Sequence, residues 1–368
     1  MKIGLIKEIK KEEYRVGLTP NSAREYIDHG HDVFVEKGAG IGSGFPDEEY
    51  KACGCKLFAD KKKIFGTAEM IIKVKEPLEE EYGLLNENQI IYTYLHLAAN
   101  KPLTENLLKR KVVGIAYETV MEHDGSLPLL IPMSQIAGRL SVLEGAKYLE
   151  KTFGGRGILL GGVPGIKKGK VLIIGGGIVG KNACKIAVGL GADVSIMDIS
   201  AKRLSELDDI FGTSITTLYS NSYTIKEMIR EADLVIGAVL LPGAAAPKLI
   251  KRADLKTMKK GAVIVDVAVD QGGCIETTRP TYHSNPTFIV DDVVHYCVAN
   301  MPGAVGLSST YALTSVTNRY GLQIAQLGID TALHSSKAIR AGLNCYKGKL
   351  TNRAVAEALD MKYSEHHP

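Results

Sequence analysis

The sequence predicts an α/β protein with two domains, the second of which contains a doubly wound parallel sheet. Short apolar runs bounded by glycine or proline alternate with segments of helical spacing, which is the pattern of successive βαβ units. One such unit, at residues 170–200, combines two apolar runs with a glycine-rich turn and a helical segment between them. The 368 residues are also more than a single hydrophobic core usually serves, so we expect two domains.

Composition and charge exclude several classes of protein. The 45 basic and 41 acidic residues leave a net charge of +4, which is too small to indicate binding to nucleic acid or to a membrane surface. No apolar run approaches the length of a membrane-spanning helix. Residues 1–13 are too highly charged for a signal peptide. We therefore expect a cytoplasmic protein with no membrane or nucleic-acid partner.

The turn within residues 170–200 predicts a dinucleotide site. Gly175, Gly177 and Gly180 satisfy G-x-G-x-x-G directly after an apolar run. Such glycines make the turn, let the backbone approach a pyrophosphate and let the helix pack against the strand, and the helix N-terminus adds N–H donors. Asp198 ends the second apolar run and is placed to accept hydrogen bonds from a ribose. Because a carboxylate repels a 2′-phosphate, we expect a Rossmann-like domain that binds NAD rather than NADP. A purely structural βαβ turn is the alternative.

The first part of the chain is predicted to be a separate α/β domain. A helix begins near Pro20, capped by Thr19 or Asn21, and another covers residues 103–110. Strands are expected at residues 2–8, 31–36, 68–76, 89–96 and 112–118.

Three candidate site residues of this domain stand in loops or at strand ends. Arg15 precedes the first helix, and Lys75 lies at or just beyond the end of a strand. His96 shares one face with Tyr94 near the end of the next strand. Ligands bind at the carboxyl ends of strands in α/β sheets. An exposed arginine and a structural histidine are the alternatives, but two cations and an imidazole gathered together suit an anionic 2-oxo acid.

The second domain is predicted to follow a proline-containing crossing at residues 126–132. Helices are expected at 133–151 and 223–231, with a third ending at Gly261, and strands at 214–218, 234–240, 262–269 and, as the last one, 288–290. Asp270 ends the strand at 262–269 and is either a turn residue or a charged partner for a substrate amine.

The C-terminal part is predicted to be helical at residues 308–327 and 330–359, with a break at Gly348. These helices are expected to return to the first domain and make it discontinuous. The substrate domain then comprises residues 1–130 and 307–368, and the NAD-binding domain comprises residues 131–306.

Seven segments in order along the chain resemble the alanine dehydrogenases of the alanine dehydrogenase/pyridine nucleotide transhydrogenase family. They are EEYRVGLTP at 12–20, KVKEP at 73–77, YLHLA at 94–98, GGVPG at 161–165, the glycine turn, VDVAVDQGG at 265–273 and NMPGAV at 300–305. The resemblance implies NAD-dependent oxidative deamination of L-alanine to pyruvate and ammonia, the reverse amination, and usually a homohexamer.

The resemblance also implies roles for individual residues. Arg15 and Lys75 bind the carboxylate and carbonyl region of the substrate, His96 is the acid or base at the carbonyl oxygen, and Asp270 assists at the amino group or the attacking water. Tyr94, Met133 and Asn300 are further expected substrate contacts. The expected NAD contacts are Ser134, Gly175, Gly177, Ile178, Val179, Gly180, Asp198, Arg203, Ser220, Val239, Leu240, Val267, Ala268, Val269, Asp270, Arg279, Val298, Ala299, Asn300 and Met301. Position 203 is commonly lysine in relatives, so arginine keeps the charge there but changes the geometry.

We expect no metal, because Gln323 and Leu327 stand where some relatives have metal ligands in the late helix. Three other interpretations remain open. One is the soluble nucleotide-binding component of a proton-translocating transhydrogenase, and another is a dehydrogenase that joins lysine to a keto acid. The third is a protein that binds NAD without catalysis.

Overall fold

The computed structural model describes residues 1–239 and 246–366 and divides into two compact units. The first unit combines Met1–Met133 with Gly303–Pro368, and the second is Ser134–Pro302. The first unit is therefore discontinuous in sequence. The predicted α/β class, with two Rossmann-like sheets, is confirmed.

The elements alternate along the chain as in βαβ units. The strands are β1 (Lys2–Leu5), β2 (Asp32–Glu36), β3 (Lys56–Phe58), β4 (Met70–Ile72), β5 (Ile90–Thr93), β6 (Val113–Ala116), β7 (Lys170–Ile174), β8 (Asp193–Asp198), β9 (Thr216–Tyr219), β10 (Leu234–Gly237), β11 (Val263–Asp266), β12 (Thr287–Val290), β13 (Val293–Tyr296), β14 (Leu343–Tyr346) and β15 (Lys349–Leu350). The helices are α1 (Pro20–Asp28), α2 (Asp47–Ala52), α3 (Lys61–Thr67), α4 (Glu79–Tyr82), α5 (Lys101–Lys109), α6 (Ile131–Tyr148), α7 (Ile178–Gly189), α8 (Ala201–Phe211), α9 (Ser222–Glu231), α10 (Arg252–Leu255), α11 (Gly306–Leu327), α12 (Ile329–Ser335), α13 (Lys337–Gly342) and α14 (Arg353–Leu359).

The sheet of the first unit has the order β15–β14–β6–β5–β4–β1–β2–β3. Strands β1 to β6 are parallel, whereas β14 and β15 are antiparallel to their neighbours. The strand order reverses between β1 and β4, and such a reversal opens a crevice at the carboxyl ends of the strands. The segments that follow β1, β4 and β5 carry Arg15, Lys75 and His96, respectively.

The sheet of the second unit has the order β12–β13–β11–β10–β7–β8–β9, with β12 antiparallel and the others parallel. Strand β7 is buried on both faces, because Val171 and Ile173 join one apolar cluster and Leu172 and Ile174 join another. This explains the uninterrupted apolar run in the sequence. The strand order reverses between β7 and β10, directly beside the glycine turn.

Several predicted elements were wrong at their ends or in type. The strand expected to reach His96 ends at Thr93, and the helix expected to end at Gly261 ends at Leu255. The strand at 288–290 is not the last one, since β13 lies next to β11 in the second sheet. The C-terminal part is not helical around Gly348 but forms the hairpin of β14 and β15.

Local sequence explains why α1 begins where it does. Thr19 is the N-cap, its hydroxyl accepts the N–H of Ser22 over 3.1 Å, and Pro20 occupies the first turn. Thr19 rather than Asn21 is thus the capping residue. The cap fixes the end of the loop that carries Arg15.

Candidate active site

Arg15 lies between β1 and α1 and is held by a carboxylate that the sequence analysis did not single out. Its Nε and Nη2 donate to the two carboxylate oxygens of Glu13 over 2.7 and 2.5 Å, and both residues are buried. Burial alone would raise the pKa of Glu13, but the Arg15 guanidinium lowers that pKa to about 2. Nη1 of Arg15 lies 3.0 Å from Sδ of Met133 and donates to it. The structure therefore brings together two predicted substrate residues and orients the guanidinium through Glu13.

Lys75 follows β4 and is 9% exposed. The N–H groups of Val74 and Lys75 donate to Oε1 of Glu8 over 2.6 and 3.4 Å, and the Thr93 hydroxyl donates to the Lys75 carbonyl over 3.0 Å. Burial and then the positive charge of Arg15 lower the pKa of the Lys75 ammonium. Two cations are thus held in a buried region where a bound anion would stabilise both.

A buried ion cluster fixes the segment that carries Lys75, and the sequence analysis missed it. Nζ of Lys73 is fully buried, 3.1 Å from Glu81 and 3.5 Å from Glu8. Burial opposes the charge of Lys73, but the two carboxylates raise its pKa. Burial also raises the pKa of Glu8, although Lys73 acts in the opposite direction. Because each member is held by the others, the backbone at 73–75 has little freedom.

His96 lies beyond the end of β5 with its side chain exposed. Its φ and ψ of 50° and 36° are left-handed, which is uncommon for any residue other than glycine. The imidazole is stacked on the ring of Tyr94, with 5.9 Å between ring centroids and 12° between planes. Tyr94 is buried and donates its hydroxyl to the Leu129 carbonyl over 2.6 Å. The two rings therefore meet by stacking rather than by sharing a face of a strand.

Replacing Glu13 with glutamine should lower the free energy of unfolding by roughly 3 kcal/mol at neutral pH, because the change breaks a buried ion pair. The folded protein keeps this carboxyl ionised down to about pH 2, compared with an ordinary pKa of 4.5. The contribution of the pair is therefore complete above pH 4.5 and is lost as the pH falls towards 2. Urea unfolding of both proteins across this range measures the effect.

Glu87→Gln is the matched control for this experiment. Glu87 lies 3.0 Å from Lys111, and both side chains are exposed, so its loss should cost under about 1 kcal/mol. Equal destabilisation by both variants would contradict the account. So would a Glu13→Gln effect that stays constant as the solution is acidified.

The glycine turn of the second unit has three glycines with three different requirements. Gly175 has φ of 106°, and a Cβ there would lie 2.7 Å from the Ala238 carbonyl oxygen. A Cβ on Gly180 would lie 1.8 Å from the carbonyl oxygen of Gly175. A Cβ on Gly177 would meet no protein atom within 4 Å. Packing explains the first and third glycines, whereas the second leaves the backbone at the start of α7 open to approach by a phosphate.

Asp198 ends β8 and is tied to the same turn. Its Oδ2 accepts the N–H of Gly176 over 2.7 Å, and its Oδ1 accepts the N–H of Ser200 over 2.8 Å. Nε of Arg203 donates to the Gly176 carbonyl over 2.5 Å, and Nη1 pairs with Glu206. Each carboxylate oxygen keeps a second lone pair, so Asp198 can still accept from a ribose hydroxyl. These residues fit the adenosine and pyrophosphate parts of NAD.

Gly177→Ala should weaken NAD binding by about tenfold or more without lowering the stability of the protein free of cofactor. The added methyl meets no protein atom, so only a ligand pressed against this backbone would detect it. Calorimetric titration with NAD and thermal unfolding without NAD measure the two quantities. Gly175→Ala is the contrasting variant, because strain at φ of 106° should lower stability as well. Unchanged NAD affinity in Gly177→Ala would contradict the placement of the pyrophosphate.

Asp270 is exposed on a short turn, Val269–Gln271, directly after β11. Asp266 ends that strand and is fully buried, and burial raises its pKa although hydrogen bonds oppose the shift. Its carboxylate accepts hydrogen bonds from Ala268 N–H at 3.1 Å, Cys274 N–H at 3.0 Å, Ile275 N–H at 3.4 Å and the Thr278 hydroxyl at 2.7 Å. Nζ of Lys248 donates to the Gly272 carbonyl and, over 2.9 Å, to the Gly273 carbonyl. Hydrogen bonds to Asp266 and Lys248 therefore hold the loop before and after Asp270.

Most other predicted NAD contacts follow strands of the second sheet, whose parallel strands have their carboxyl ends at one edge. Ser220 follows β9 and donates its N–H to the Asp198 carbonyl over 2.9 Å, and Val239 follows β10. Residues 267–269 follow β11, residues 298–301 follow β13, and Ile178 and Val179 begin α7. Two of the predicted contacts do not follow a strand. Ser134 lies in α6, and the exposed Arg279 guanidinium lies 4.5 Å from the ring centroid of Phe288. Leu240 falls outside the described residues. The Asn300 carbonyl lies 3.2 Å from Nε2 of His283, which can donate to it, and Asn300 has φ of 70°. The binding roles of these residues stay predictions.

Metal binding and membrane insertion are considered for residues 1–239 and 246–366, the part of the chain that the structure describes. These residues include no group of three or more His, Cys, Asp or Glu side chains arranged to hold a metal ion. No helix in this part of the chain combines the length and the apolar character needed to cross a bilayer.

This chain is similar to known proteins over nearly its whole length. Residues 4–137 match the family model described as the alanine dehydrogenase/PNT N-terminal domain, and residues 141–353 match that of the C-terminal domain. A Methanococcus maripaludis protein named alanine dehydrogenase is 56% identical over 99% of this chain and 98% of its own length. A solved L-alanine dehydrogenase structure is 52% identical, with a TM-score of 0.95, and covers 98% of this chain and 99% of its own. A transhydrogenase structure from Sinorhizobium meliloti, at 23% identity, 96% and 100% coverage and a TM-score of 0.82, shares the fold.

Fold and site together define a dinucleotide-binding protein built on two doubly wound sheets. The chain belongs to the alanine dehydrogenase/PNT family, as both family models show. The resemblance noted from the sequence is thereby confirmed. The C-terminal family model extends to residue 353, so it includes part of the segment that returns to the first structural unit.

Proposed function

We propose that this protein catalyses the NAD-dependent oxidative deamination of L-alanine to pyruvate and ammonia, and the reverse amination. The observation that carries the proposal is the 56% identity, over 99% of the chain, with a protein named alanine dehydrogenase. The protein is accordingly an amino-acid oxidoreductase that uses NAD.

The substrate carboxylate binds to Arg15 and Lys75 in this proposal. Glu13 occupies Nε and Nη2 of Arg15 and sets the plane of the guanidinium. The lowered pKa of Lys75 shows that burial and Arg15 disfavour its positive charge. A substrate carboxylate favours both cations and neutralises part of their repulsion. Binding therefore selects an anionic substrate and fixes the orientation of its α-carbon.

His96 and Asp270 carry out the proton chemistry in this proposal. Bound NAD would supply the acceptor for the α-hydrogen of alanine as a hydride, once the amino group has lost its extra proton to alkaline solvent. Asp270 stabilises the iminium cation that remains on the substrate, and water adds to the iminium carbon. His96 accepts a proton from the water as it adds and passes that proton to the amino nitrogen. The carbon–nitrogen bond then breaks, ammonia leaves, and the remaining hydroxyl gives its proton back to His96 as the carbonyl forms. Imidazole suits this role because its unperturbed pKa lies near neutrality.

The cofactor preference follows from Asp198. Its carboxylate, anchored to Gly176 and Ser200, accepts from ribose hydroxyls and repels a 2′-phosphate. We propose that the second unit binds NAD and that the first unit binds the amino acid. The glycine turn supports the first assignment, and the buried Arg15–Glu13 pair beside Lys75 supports the second.

One assay tests the proposed function against its alternatives. NADH formation in alkaline buffer is followed with NAD and L-alanine, with NAD and L-lysine, and with NAD alone. Alanine-dependent NADH formation is expected, with pyruvate as the product. A separate reductive assay, in which NADH is consumed with L-lysine and a 2-oxo acid, would indicate the lysine-joining dehydrogenase. NAD binding without amino-acid turnover would indicate the transhydrogenase component or a non-catalytic protein and would overturn the proposal.

The oligomeric state and the location in the cell are two further properties of the proposal, and the first comes from the family resemblance. We propose a homohexamer, which light scattering after size-exclusion chromatography tests directly. A single-subunit mass in that measurement would contradict it. We also propose a cytoplasmic location, which cell fractionation tests.

A further inference from the structure

The backbone at His96 is held in its unusual conformation by one carboxylate. Strand β5 ends at Thr93, which pairs with Ala116 of β6, and beyond this pair the two strands no longer hydrogen-bond. Beyond this pair, the carboxylate of Glu118, two residues past the end of β6, supplies the hydrogen-bond acceptors. Its Oε1 accepts the N–H of His96 over 2.6 Å, and its two oxygens accept the N–H of Leu95 over 3.1 and 3.2 Å. A side chain thus replaces the hydrogen bonds of the missing strand partner.

The carboxylate of Glu118 contacts the backbone at the residue that has the left-handed conformation. His96 has φ of 50°, a conformation that persists only where the surroundings impose it. The preceding Leu95 is fully buried in the apolar core of the first unit, whereas His96 is exposed. The left-handed turn is what directs the imidazole outward next to a buried leucine. Two charge-assisted bonds from one carboxylate are strong enough to maintain that turn.

Glu118 is itself fixed by its surroundings. It lies in a short turn, Tyr117–Thr119, and the Thr119 hydroxyl donates to the Ala116 carbonyl over 3.3 Å. Nδ2 of Asn344, on the antiparallel strand β14, donates to the same hydroxyl over 2.6 Å. The returning C-terminal segment therefore supports the turn that carries Glu118.

We propose that Glu118 is a positioning residue for His96 in the reaction. It acts through the backbone of His96, while Tyr94 sets the plane of the imidazole by stacking. Through its contacts with the N–H groups of Leu95 and His96, Glu118 is proposed to support the backbone and not to donate or accept a proton in the reaction. The proposal rests on the proposed role of His96 in alanine oxidation, and it adds a requirement for a negative charge at position 118.

Glu118→Gln is the informative substitution because it keeps the size of the side chain. The amide keeps one accepting oxygen at the position of Oε1 but loses the negative charge, and its NH₂ group replaces Oε2 and faces the Leu95 N–H as a competing donor. The left-handed turn then loses its support and the imidazole moves. We expect kcat for alanine oxidation to fall about 10-fold to 100-fold, as for other displacements of a reacting group by about 1 Å. The Kd for NAD should stay unchanged, which also reports that the variant is folded.

A double-mutant cycle with His96→Asn separates positioning from general support of the fold. If Glu118 acts through His96, then Glu118→Gln lowers kcat in the wild-type background and has little further effect in the His96→Asn background. Equal fold-losses in both backgrounds would overturn the proposal. Failure of the proposed function has a different signature, because then His96→Asn itself would leave kcat unchanged or wild-type protein would not oxidise alanine.

Glu69→Gln is the matched control. Oε2 of Glu69 accepts the backbone N–H of Lys2 over 2.7 Å in the same unit, so the chemical change is the same at a different place. It should leave kcat within about twofold of wild type, as expected for a surface change. A crystal structure of Glu118→Gln gives an independent result. Departure of residue 96 from positive φ supports the proposal, and an unchanged left-handed His96 would overturn it.

Discussion

In the His96→Asn variant, kcat for alanine oxidation should fall by about 100-fold to 10,000-fold while the Kd for NAD stays unchanged. Asparagine tolerates the left-handed conformation that His96 adopts, so the backbone can keep its shape. It cannot accept and return a proton near neutral pH. The loss therefore measures acid–base chemistry and not a disturbed loop. Steady-state kinetics and calorimetric NAD titration give the two quantities.

His334→Ala is a suitable control for this experiment, since His334 is an exposed histidine on α12 in the same unit. It should leave both kcat and NAD affinity near the wild-type values. A parallel loss of kcat and NAD affinity in His96→Asn would indicate that His96 has a structural role. A wild-type pH dependence of kcat/KM retained by His96→Asn would contradict its role as the titrating group.

Gly180→Ala should reduce NAD affinity by about 100-fold or more, which corresponds to roughly 3 kcal/mol. A Cβ at this position would lie 1.8 Å from the carbonyl oxygen of Gly175 and 3.0 Å from its carbonyl carbon. These are backbone atoms, so no flexible side chain can move aside, and either α7 or the glycine turn must shift. A shift of either displaces the N–H groups that face the pyrophosphate. Titration with NAD measures the effect.

The last residue of the same helix provides the control. A Cβ at Gly189 would meet nothing within 4 Å, and alanine is the better helix former by about 1 kcal/mol. Gly189→Ala should therefore keep NAD affinity and leave thermal stability equal or higher. If Gly180→Ala also keeps its affinity for NAD, the close approach of α7 to the turn is not required for binding.

The dinucleotide unit was largely predictable because its signals are local. Apolar runs buried on both faces, a glycine turn between them and a terminal aspartate define β7, α7 and β8 without any long-range contact. Burial of Leu172 and Ile173 in clusters on opposite faces of β7 then follows from the alternation of a strand.

The C-terminal hairpin was not predictable in the same way. Lys347 and Gly348 both have positive φ, at 47° and 88°, as in the two-residue turns that join antiparallel strands. Lysine is not a usual residue at the first of these positions, and Gly348 alone predicts only a break in a helix. Pairing of β14 with β6 is a contact distant in sequence, and residues 343–346 alone do not specify it.

The sequence identifies candidate site residues whose side chains have a recognisable chemistry, but it does not identify the residues that hold those side chains in place. Arg15 and His96 are recognisable as a guanidinium and an imidazole in loops, but Glu13 and Glu118 look like ordinary surface acids. For both glutamates, the position in the sequence indicated a neighbour of a candidate residue. Glu13 is two residues from Arg15. Glu118 is the last residue of the predicted strand at 112–118, and β6 within that strand pairs with β5, which leads to His96.

Deuterium transfer tests the central claim most directly. L-alanine labelled with deuterium at the α-carbon is incubated with NAD and the enzyme, and the products are analysed by mass spectrometry. Hydride transfer from the α-carbon predicts one deuterium in the reduced cofactor, pyruvate as the other product and a slower rate than with unlabelled alanine when that step limits turnover. Deuterium released into water, or a reduced cofactor that carries none, would contradict the account.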